Sequence, residues 1–253
     1  MEKLKIKNIA FKYDKNDVLN NINADIINNS IISIIGNNGA GKSSILKIIL
    51  KIITQNSGEI FIDEQLNKNI NSNKYAEIFS YVPQENGYFD DFTVYDTIMD
   101  GRYIYNNIEE NRDVVSNAII MCDLSEIVER KMNEISGGER RRVLIARAIV
   151  QDSEFILMDE PFSNLDLLHQ KNISKIIVDL NKNLKKGIIM VVHDINLALN
   201  MSDYIIAIKD GTIFQFDLPE KVINSENIEK IFGVKSTKVE ISNYKNGYYI
   251  VDI

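Results

Sequence analysis

The sequence predicts an α/β fold in which a helical segment interrupts a series of buried strands. Short apolar runs at Ile31–Ile35, Phe155–Met158 and Ile188–Val192 are typical of strands that are buried on both faces of a sheet. The stretch Thr93–Arg130 has no strong strand pattern and is predicted to be mostly helical. Strands separated by a mostly helical stretch indicate an α/β core with a helical insertion.

Side-chain periodicity predicts the elements near the N-terminus. Leu4–Phe11 alternates apolar and polar residues, which predicts a strand with Leu4, Ile6 and Ile9 facing inward. Directly after the first buried strand, apolar positions along Ser43–Ile53 form the stripe of a helix. Strand, glycine-rich turn and helix therefore follow one another without a gap.

The C-terminal residues predict one further element. Lys238–Ile253 alternates apolar and polar residues on both sides of Asn246 and Gly247. The Asn-Gly pair is the preferred sequence of a type I′ turn. We therefore predict a β-hairpin that closes on this turn.

Composition and charge narrow the classes of function. The chain has 253 residues, of which 45% are apolar and 26% charged, and this ordinary usage argues against disorder. Its 29 basic and 36 acidic residues give a net charge of −7, which disfavours non-specific binding to nucleic acid. The single cysteine, Cys122, suits a reducing compartment. No apolar run exceeds five residues, so we expect a cytoplasmic protein that works at a membrane only through a partner.

The glycine-rich turn carries the clearest sign of chemistry. Residues 36–43, Gly-Asn-Asn-Gly-Ala-Gly-Lys-Ser, fit the pattern G-x-x-x-x-G-K-[ST]. Glycines let successive backbone N–H groups turn inward around phosphate oxygens, and the following helix adds its positive N-terminal end. Lys42 is placed to reach the β- and γ-phosphates, and the Ser43 hydroxyl is placed to bind Mg²⁺. The flanking strand and helix favour a phosphate-binding loop over a turn that binds nothing.

Two carboxylates at the end of a later strand supply the second half of such a site. Phe155–Met158 is followed directly by Asp159 and Glu160. Ligands bind at the carboxyl edge of open parallel sheets, where these side chains emerge. Asp159 would hold Mg²⁺ through water, and Glu160 would polarise the attacking water. On its own the pair could be a solvated loop, but the phosphate loop earlier in the chain makes the catalytic interpretation strong.

The segment Ile135-Ser136-Gly137-Gly138-Glu139 lies between these motifs. Here the chain resembles the nucleotide-binding subunit of ATP-binding-cassette (ABC) transporters, whose signature is L-S-G-G-[QE], with isoleucine in the first place. Further motifs of the family follow in the expected order. Tyr13 stands where a ring stacks on adenine, Gln84 matches the Q-loop, Asp166 the D-loop and His193 the switch histidine.

The resemblance implies ATP and Mg²⁺ as cofactors. It implies ATP contacts by Tyr13, Gly36, Asn37, Asn38, Gly39, Ala40, Gly41, Lys42, Ser43, Ser44, Gln84, Ser136, Gly137, Gly138 and Asp166. It implies Mg²⁺ contacts by Ser43, Gln84 and Asp159, and catalytic roles for Glu160, His193 and Lys42. In the family, the signature segment closes over the γ-phosphate held by a second subunit, so two ATP molecules lie between the subunits of a head-to-tail homodimer.

The resemblance also implies an organisation of the chain. It implies the P-loop NTPase fold of ABC ATPases, with an N-terminal antiparallel β-subdomain and an inserted helical subdomain. The ATPase domain would cover residues 1–235, with the helical subdomain at about 86–132 and the signature helix from residue 136. Residues 236–253 would form a C-terminal β-hairpin extension.

Softer patterns resemble one branch of the family. Gly101-Arg102-Tyr103, after Thr93–Thr97, resembles a region of iron–siderophore, haem and cobalamin importers, although the proline of that region is absent. An importer of this kind works with integral membrane permease subunits and, indirectly, with an extracellular substrate-binding protein. The ATPase would then lie at the inner face of the membrane. An exporter ATPase and a soluble ABC ATPase acting on ribosomes or DNA are the alternatives, and no nucleic-acid partner is expected.

Two residue clusters leave their interpretation open. Arg140–Arg142 could contact nucleic acid, but a solvated face or packing between parts of the domain is favoured. Aromatic residues between Gln84 and Tyr105, including Tyr88 and Phe89, could pack the helical subdomain or line a groove for a permease helix.

Overall fold

The computed structural model describes residues 3–84, 91–242 and 246–252, so Tyr88 and Phe89 lie outside the described residues. The chain forms two compact units. The first combines Met1–Ile70 with Gly187–Ile253, and the second is Asn71–Lys186. The second unit is thus an insertion between two stretches of the first. The division into residues 1–235 and 236–253 stays a prediction.

The elements follow one another in three stretches. The chain begins with β1 (Lys3–Tyr13), β2 (Asn16–Ile27), β3 (Ile31–Gly36), α1 (Lys42–Ile49), β4 (Ser57–Ile62) and β5 (Gln65–Leu66). The second unit contains α2 (Ser72–Ile78), β6 (Phe79–Val82), α3 (Val94–Met99), α4 (Ile108–Met121), α5 (Gly137–Val150), β7 (Phe155–Asp159) and α6 (Leu167–Lys182). The chain then returns to the first unit with β8 (Gly187–Val191), α7 (Ile195–Met201), β9 (Tyr204–Lys209), β10 (Thr212–Asp217), α8 (Pro219–Val222), α9 (Ser225–Phe232), β11 (Ser236–Val239) and β12 (Tyr248–Val251).

The N-terminal strands form the antiparallel sheet that was expected near this end. Its strand order is β2-β1-β4-β5. Leu4 and Ile6 are buried because alternate residues of β1 face the same side of the sheet. Ile9 is out of phase with them but is also buried, because the strand register shifts between Ile6 and Ile9, where Asn8 has a left-handed backbone at φ +49°. The predicted inward positions are confirmed.

The phosphate loop follows β3, a strand of a mixed sheet in the first unit. β3 pairs in parallel with β8 on one side and with β9 on the other, and β10 pairs antiparallel with β9. All six residues of β3 and all five of β8 are buried, as expected for strands covered on both faces. Since β3 and β8 are parallel neighbours, the loop after β3 and His193 after β8 emerge at the same edge of this sheet.

In the second unit, a pair of parallel strands likewise places polar residues at one edge. β6 pairs with β7 from Phe79↔Phe155 to Val82↔Met158. Gln84 follows β6 and Glu160 follows β7, so both residues emerge at one edge of this pair. The fold therefore collects polar residues at a strand edge in each unit.

The predicted helical stretch is confirmed, and Gly101 and Arg102 have structural roles in it. α3 and α4 occupy this stretch, with a short 3₁₀ turn at Asp100–Arg102 between them and another at Ser125–Ile127 after α4. A Cβ on Gly101 would lie 2.3 Å from the carbonyl oxygen of Arg147, so glycine permits the close approach of α5. Arg102 is buried and donates to Asn111 Oδ1 at 2.8 Å and to the Val150 carbonyl at 3.0 Å.

The described aromatic residues of this region divide between surface and packing. Phe92 and Tyr103 are exposed, at 52% and 65% of their surface. Tyr95 and Tyr105 are half-buried, and the Tyr105 hydroxyl donates to the Gln151 carbonyl at 3.0 Å. Some of these rings thus support the helical segment, while others face outward.

Two predicted details differ from the structure. The helix predicted over Ser43–Ile53 ends at Ile49, because the backbone of Lys51 turns into the left-handed region at φ +58°. The C-terminal hairpin is present, but Val239 pairs with Tyr248, so Asn246 and Gly247 alone do not join the two strands. A two-residue type I′ turn at Asn246 and Gly247 is therefore wrong.

Two further features concern membranes and the cysteine. Within the described residues, none of the helices is both long enough and apolar enough to cross a bilayer. Cys122 is fully buried and packs as a small apolar residue.

Candidate nucleotide-binding site

The phosphate loop has a backbone that only glycines adopt easily. Gly36, Gly39 and Gly41 have φ angles of +148°, +78° and +95°. A Cβ on Gly36 would lie 2.2 Å from the carbonyl oxygen of Ile208 on the neighbouring strand β9. The glycines at the start and end of the pattern are therefore required by the backbone itself, and the exposed Gly39 lies at the tip of the loop.

The Lys42 side chain is folded back over the loop. Its side chain is buried, and its Nζ donates to the carbonyl oxygens of Gly36 at 2.9 Å and Asn37 at 2.8 Å. The ammonium group therefore lies at the mouth of the loop. It is placed to exchange these carbonyl oxygens for the stronger interaction with a phosphate.

The helix that follows the loop begins in a way that suits an anion. The N-cap residue of α1 is Gly41, which has no side chain to accept from the first-turn N–H groups. The first turn contains no acidic residue, and it includes Lys42, Ser43 and Ser44. The positive end of the helix and the ammonium group thus meet beside the loop.

The two carboxylates after β7 differ in burial and backbone conformation. Asp159 is the last residue of the buried strand and is only 2% exposed. The Tyr81 hydroxyl donates to Asp159 Oδ2 at 3.4 Å, and burial, reinforced by this carboxylate, raises the pKa of Tyr81. Glu160 has a left-handed backbone, φ +51°, held by two hydrogen bonds from Ser163 to its carbonyl oxygen.

Gln84 is already bonded to the predicted catalytic carboxylate. Its Nε2 donates to Glu160 Oε2 at 2.7 Å. On the other side of the same backbone, Arg141 donates to the carbonyl oxygens of Pro83 at 2.7 Å and Gln84 at 3.1 Å. Burial lowers the pKa of Arg141, and the nearby carboxylates of Glu160 and Asp159 oppose that shift.

The signature segment begins α5 with a capping box. The Ser136 hydroxyl accepts from the Glu139 N–H at 3.2 Å and donates to Glu139 Oε2 at 2.8 Å, while the Ser136 N–H also donates to Glu139 Oε2 at 2.8 Å. These bonds lower the pKa of Glu139. The Ser136 hydroxyl must therefore leave Glu139 before it can contact a phosphate.

The start of α5 is packed against α6. A Cβ on Gly138 would lie 2.4 Å from Cδ2 of His169, so glycine lets the ring sit over the helix N-terminus. His169 Nδ1 lies 3.1 Å from the guanidinium of Arg142, which is itself buried. His169 is therefore a packing residue between α5 and α6.

The remaining predicted site residues are found as follows. His193 is exposed after β8, and Tyr13 is 49% exposed at the end of β1, with an edge-on contact to Phe11. Asp166 caps α6, because its Oδ1 accepts from the His169 N–H at 2.9 Å. The ATP and Mg²⁺ contacts assigned to all these residues stay predictions.

Sequence reasoning missed the part that Arg141 plays. The arginine triplet was interpreted as a solvated face or as packing, and only the second half of that holds, since Arg141 and Arg142 are buried at 5% and 7% exposure. No local signal in the sequence indicated this role, because Pro83 and Gln84 lie 58 and 57 positions away from Arg141.

The residues predicted to bind Mg²⁺ have side chains of the chemistry that this cation prefers. Ser43 offers a hydroxyl, Gln84 an amide and Asp159 a carboxylate, and these are the hard oxygen ligands that Mg²⁺ takes together with phosphate oxygens. Among the described residues there is no cluster of three or more His, Cys, Asp or Glu side chains that could hold a metal.

Comparison with known proteins places the chain in a family. The model of the family described as ABC transporter matches residues 19–163, more than half of the chain. An uncharacterized ABC transporter ATP-binding protein of Methanocaldococcus jannaschii is 40% identical over 236 residues, which cover 91% of each protein. A petrobactin import ATP-binding protein of Bacillus subtilis is 34% identical over 249 residues, which cover 97% of this chain and 99% of the relative.

Solved structures agree on the fold. An inward-facing ABC transporter assigned to the metal-chelate type has a subunit with a TM-score of 0.85 at 24% identity, covering 100% of this chain and 98% of that one. A dimeric ATP-binding cassette with bound ADP and phosphate has a TM-score of 0.77 at 28% identity, covering 85% and 98%. ABC transporter ATP-binding proteins hydrolyse ATP to power transport, and their cassettes form dimers that work with membrane permeases. The chain belongs to the ABC transporter family, as one of its ATP-binding subunits.

Proposed function

We propose that this chain hydrolyses ATP to drive the import of an iron–siderophore or a related metal chelate. The observation that carries the ATPase part is the Gln84–Glu160 hydrogen bond at one strand edge, together with a glycine loop built for phosphate at another. The importer part is supported by the relative of 34% identity whose name states petrobactin import. The resemblance of residues 93–103 to importers of iron–siderophores, haem and cobalamin supports the same assignment.

The nucleotide would be held from several sides. The loop Gly36–Ser43 and the positive end of α1 would surround the phosphates, and Tyr13 would stack on the adenine ring. Lys42 would turn from the Gly36 and Asn37 carbonyls to the β- and γ-phosphates. Ser44, next to Ser43 in the first turn, would contribute to the same group of donors.

Hydrolysis would depend on the residues at the strand edges. Glu160 would accept a proton from the attacking water, and its bond to Gln84 would hold the carboxylate in one orientation. His193 would contact the γ-phosphate and orient the water. Ser43, Gln84 and Asp159 would hold Mg²⁺, which when bound neutralises charge on the phosphate oxygens.

A second copy of the chain would complete each site. Ser136, Gly137 and Gly138 begin α5, and the N–H groups of a helix start attract an anion. We propose that they close over the γ-phosphate bound by the opposite subunit of a head-to-tail homodimer, with Asp166 at the same interface. The dimer would lie under two permease subunits at the inner face of the membrane, and an extracellular binding protein would deliver the chelate from the other side.

Transport by the reconstituted complex tests this proposal. The chain is purified with its membrane partners and placed in proteoliposomes that contain Mg·ATP, and uptake of a radiolabelled ferric siderophore is measured with the binding protein present. We expect uptake with the wild-type chain and none with Glu160→Gln. ATP turnover without uptake of any ferric chelate would reject the importer assignment, and extrusion of substrate would favour an exporter.

A further inference from the structure

We propose that the C-terminal residues 225–242 and 246–252 hold the phosphate loop and the turn that carries His193 in their working positions, with Asn37 and Asn196 as the positioning residues. This inference rests on the proposed function, because it concerns the same nucleotide site. It goes beyond the expected hairpin extension by giving this segment a part in hydrolysis. All the groups involved belong to the first unit.

The first contact joins α7 to the hairpin. Asn196 Oδ1 accepts from the Tyr249 N–H at 2.7 Å, and Asn196 Nδ2 donates to the Tyr249 carbonyl at 3.0 Å. The side-chain amide thus pairs with both polar groups of one residue of β12. Both residues are buried, so the loss of either bond would leave a buried polar group without its partner.

Asn196 lies next to the predicted catalytic histidine. Asp194 caps α7, because its Oδ1 accepts from the N–H groups of Asn196 at 2.8 Å and Leu197 at 3.1 Å. His193 directly precedes this cap. Before it, the Val192 N–H donates to the Ile34 carbonyl at 3.1 Å. The backbone of His193 is therefore held between strand β3 on one side and the Asn196–Tyr249 pair on the other.

The same hairpin also contacts the last turn of α7. Asn246 Nδ2 donates to the Leu199 carbonyl at 2.8 Å, and Asn200 Nδ2 donates to the Gly247 carbonyl at 3.1 Å. Asn246 and Gly247, which the sequence predicted as a tight turn, therefore form hydrogen bonds with the last turn of α7. These contacts lie one turn farther from His193 than Asn196 does, which makes Asn200 a matched control.

A second contact joins the same C-terminal segment to the phosphate loop. Asn37 Nδ2 donates to the carbonyl of Ile231 at 2.8 Å. Ile231 lies in the last turn of α9, where carbonyl oxygens lack partners within the helix. Asn37 supplies such a partner for the Ile231 carbonyl, although the Asn37 side chain is itself exposed.

These contacts form one connected path. From Ile231 the chain continues through Gly233 into β11, which pairs with β12 from Ser236↔Val251 to Val239↔Tyr248. β12 then carries the pair with Asn196. One continuous segment therefore holds two elements that emerge at the same edge of the β3–β8 sheet, the loop at Gly36 and the turn at His193.

The alternative is that the hairpin only adds stability. A purely stabilising contact would lower the melting temperature when removed but would leave the turnover of folded, ATP-saturated protein unchanged. A positioning contact would also lower turnover, because small displacements of a catalytic group reduce rates by large factors. The two are separated by comparing the turnover number with the dissociation constant for ATP.

The experiment uses the full chain and three variants, Asn196→Ala, Asn200→Ala and Asn37→Ala. Each is measured for melting temperature, for ATP affinity by calorimetry and for turnover at saturating Mg·ATP. We expect Asn196→Ala to bind ATP within about twofold of wild type but to turn over about tenfold more slowly. Asn200→Ala should lose a similar amount of thermal stability and keep turnover within twofold. Asn37→Ala keeps the backbone N–H groups of the loop and should weaken ATP binding about fivefold, as expected for one lost hydrogen bond.

Hydrogen–deuterium exchange of the nucleotide-free chain gives a readout that does not depend on hydrolysis. Asn196→Ala should speed exchange in the peptide that spans His193 to Leu197, and Asn200→Ala should leave that peptide unchanged. Wild-type turnover in folded Asn196→Ala, or unchanged exchange in this peptide, overturns the inference. Should Asn196→Ala fail to fold, unaltered ATP affinity in Asn37→Ala overturns it equally. If the wild-type chain binds no ATP, the proposed function is rejected instead. The exchange measurement still decides whether the C-terminal segment holds the turn at His193 in place.

Discussion

Gln84 Nε2 donates a 2.7 Å hydrogen bond to Glu160 Oε2, so the residue predicted as the Q-loop glutamine holds the residue predicted as the general base. The two lie 76 positions apart and meet because β6 and β7 are parallel neighbours. Arg141 fixes the backbone of Gln84 from the start of α5. A movement of α5 would therefore reach the Glu160 carboxylate through Gln84 alone.

We expect Glu160→Gln to bind ATP and to hydrolyse it at least about a hundredfold more slowly, the usual loss when a general base is removed. The amide keeps the shape of the side chain and can still bond Gln84, so phosphate binding should be spared. ATP affinity by calorimetry and single-turnover hydrolysis are the measurements. Size-exclusion chromatography with Mg·ATP should show more dimer than wild type. Turnover at the wild-type rate would remove Glu160 from the catalytic role.

Lys42→Ala should weaken ATP binding itself, because a positive charge at the mouth of the phosphate loop is lost from the ground state and the transition state alike. Lys47→Ala is the matched control, since it removes the same charge from the last turn of α1. Calorimetric titration with ATP distinguishes the two variants. Equal affinities for both would mean that the loop does not bind phosphate through Lys42.

Arg141 should be sensitive even to a conservative change. Its two N–H groups donate to two successive carbonyl oxygens, a fork that the single ammonium of lysine cannot reproduce. We expect Arg141→Lys to lower the free energy of unfolding by about 1–2 kcal/mol, as for loss of a charged hydrogen bond in a buried site. It should also lower turnover more than ATP affinity, because Gln84 loses its anchor. Urea unfolding and steady-state kinetics provide the two numbers, and a neutral result in both would contradict this role.

The capping box of α5 predicts a dependence of stability on pH. The pKa of Glu139 lies below its ordinary value in the folded chain, so its contribution is present above the ordinary pKa and is lost as the pH falls through the folded pKa. The wild-type chain should therefore lose more of its urea midpoint than Glu139→Gln when the pH is lowered from 7 to an acidic value. Ser136→Ala should cost about 1 kcal/mol at neutral pH through loss of the N-cap. If the stability of Glu139→Gln depended on acid pH as that of wild type does, the Glu139 carboxylate would add no pH-dependent stability.

Cys122 should be inert in the folded chain. Burial raises the pKa of its thiol to about 12, so little thiolate exists at pH 8 and the sulfur is shielded from reagents. Because the unfolded thiol ionises at lower pH than the folded one, stability should fall as the pH rises above about 9. Reaction with a chromogenic disulfide at pH 8 should be slow in buffer and complete in urea. Rapid labelling of native protein would mean that α4 opens around this residue.

The sequence predicted the local parts of the site well. The phosphate loop, the buried strands β3, β7 and β8, and the start of α5 at Ser136 are where the patterns indicated. Each of these depends on a short window, such as a glycine-rich pattern, a run of apolar residues or the signature segment at residues 135–139. The two errors of detail, the end of α1 and the turn of the hairpin, lie at element boundaries, where local patterns are weakest.

What the sequence by itself determined is the chemistry: a loop for phosphate, carboxylates at a strand end, and the family to which they belong. What only the tertiary structure decided is which side chains hold that chemistry in place. Arg141 meets Pro83, 58 positions away, and Asn196 meets Tyr249, 53 positions away. Such pairs carry no local signature, because a buried arginine or asparagine is satisfied by backbone groups that strand pairing and helix packing bring to it from distant parts of the chain.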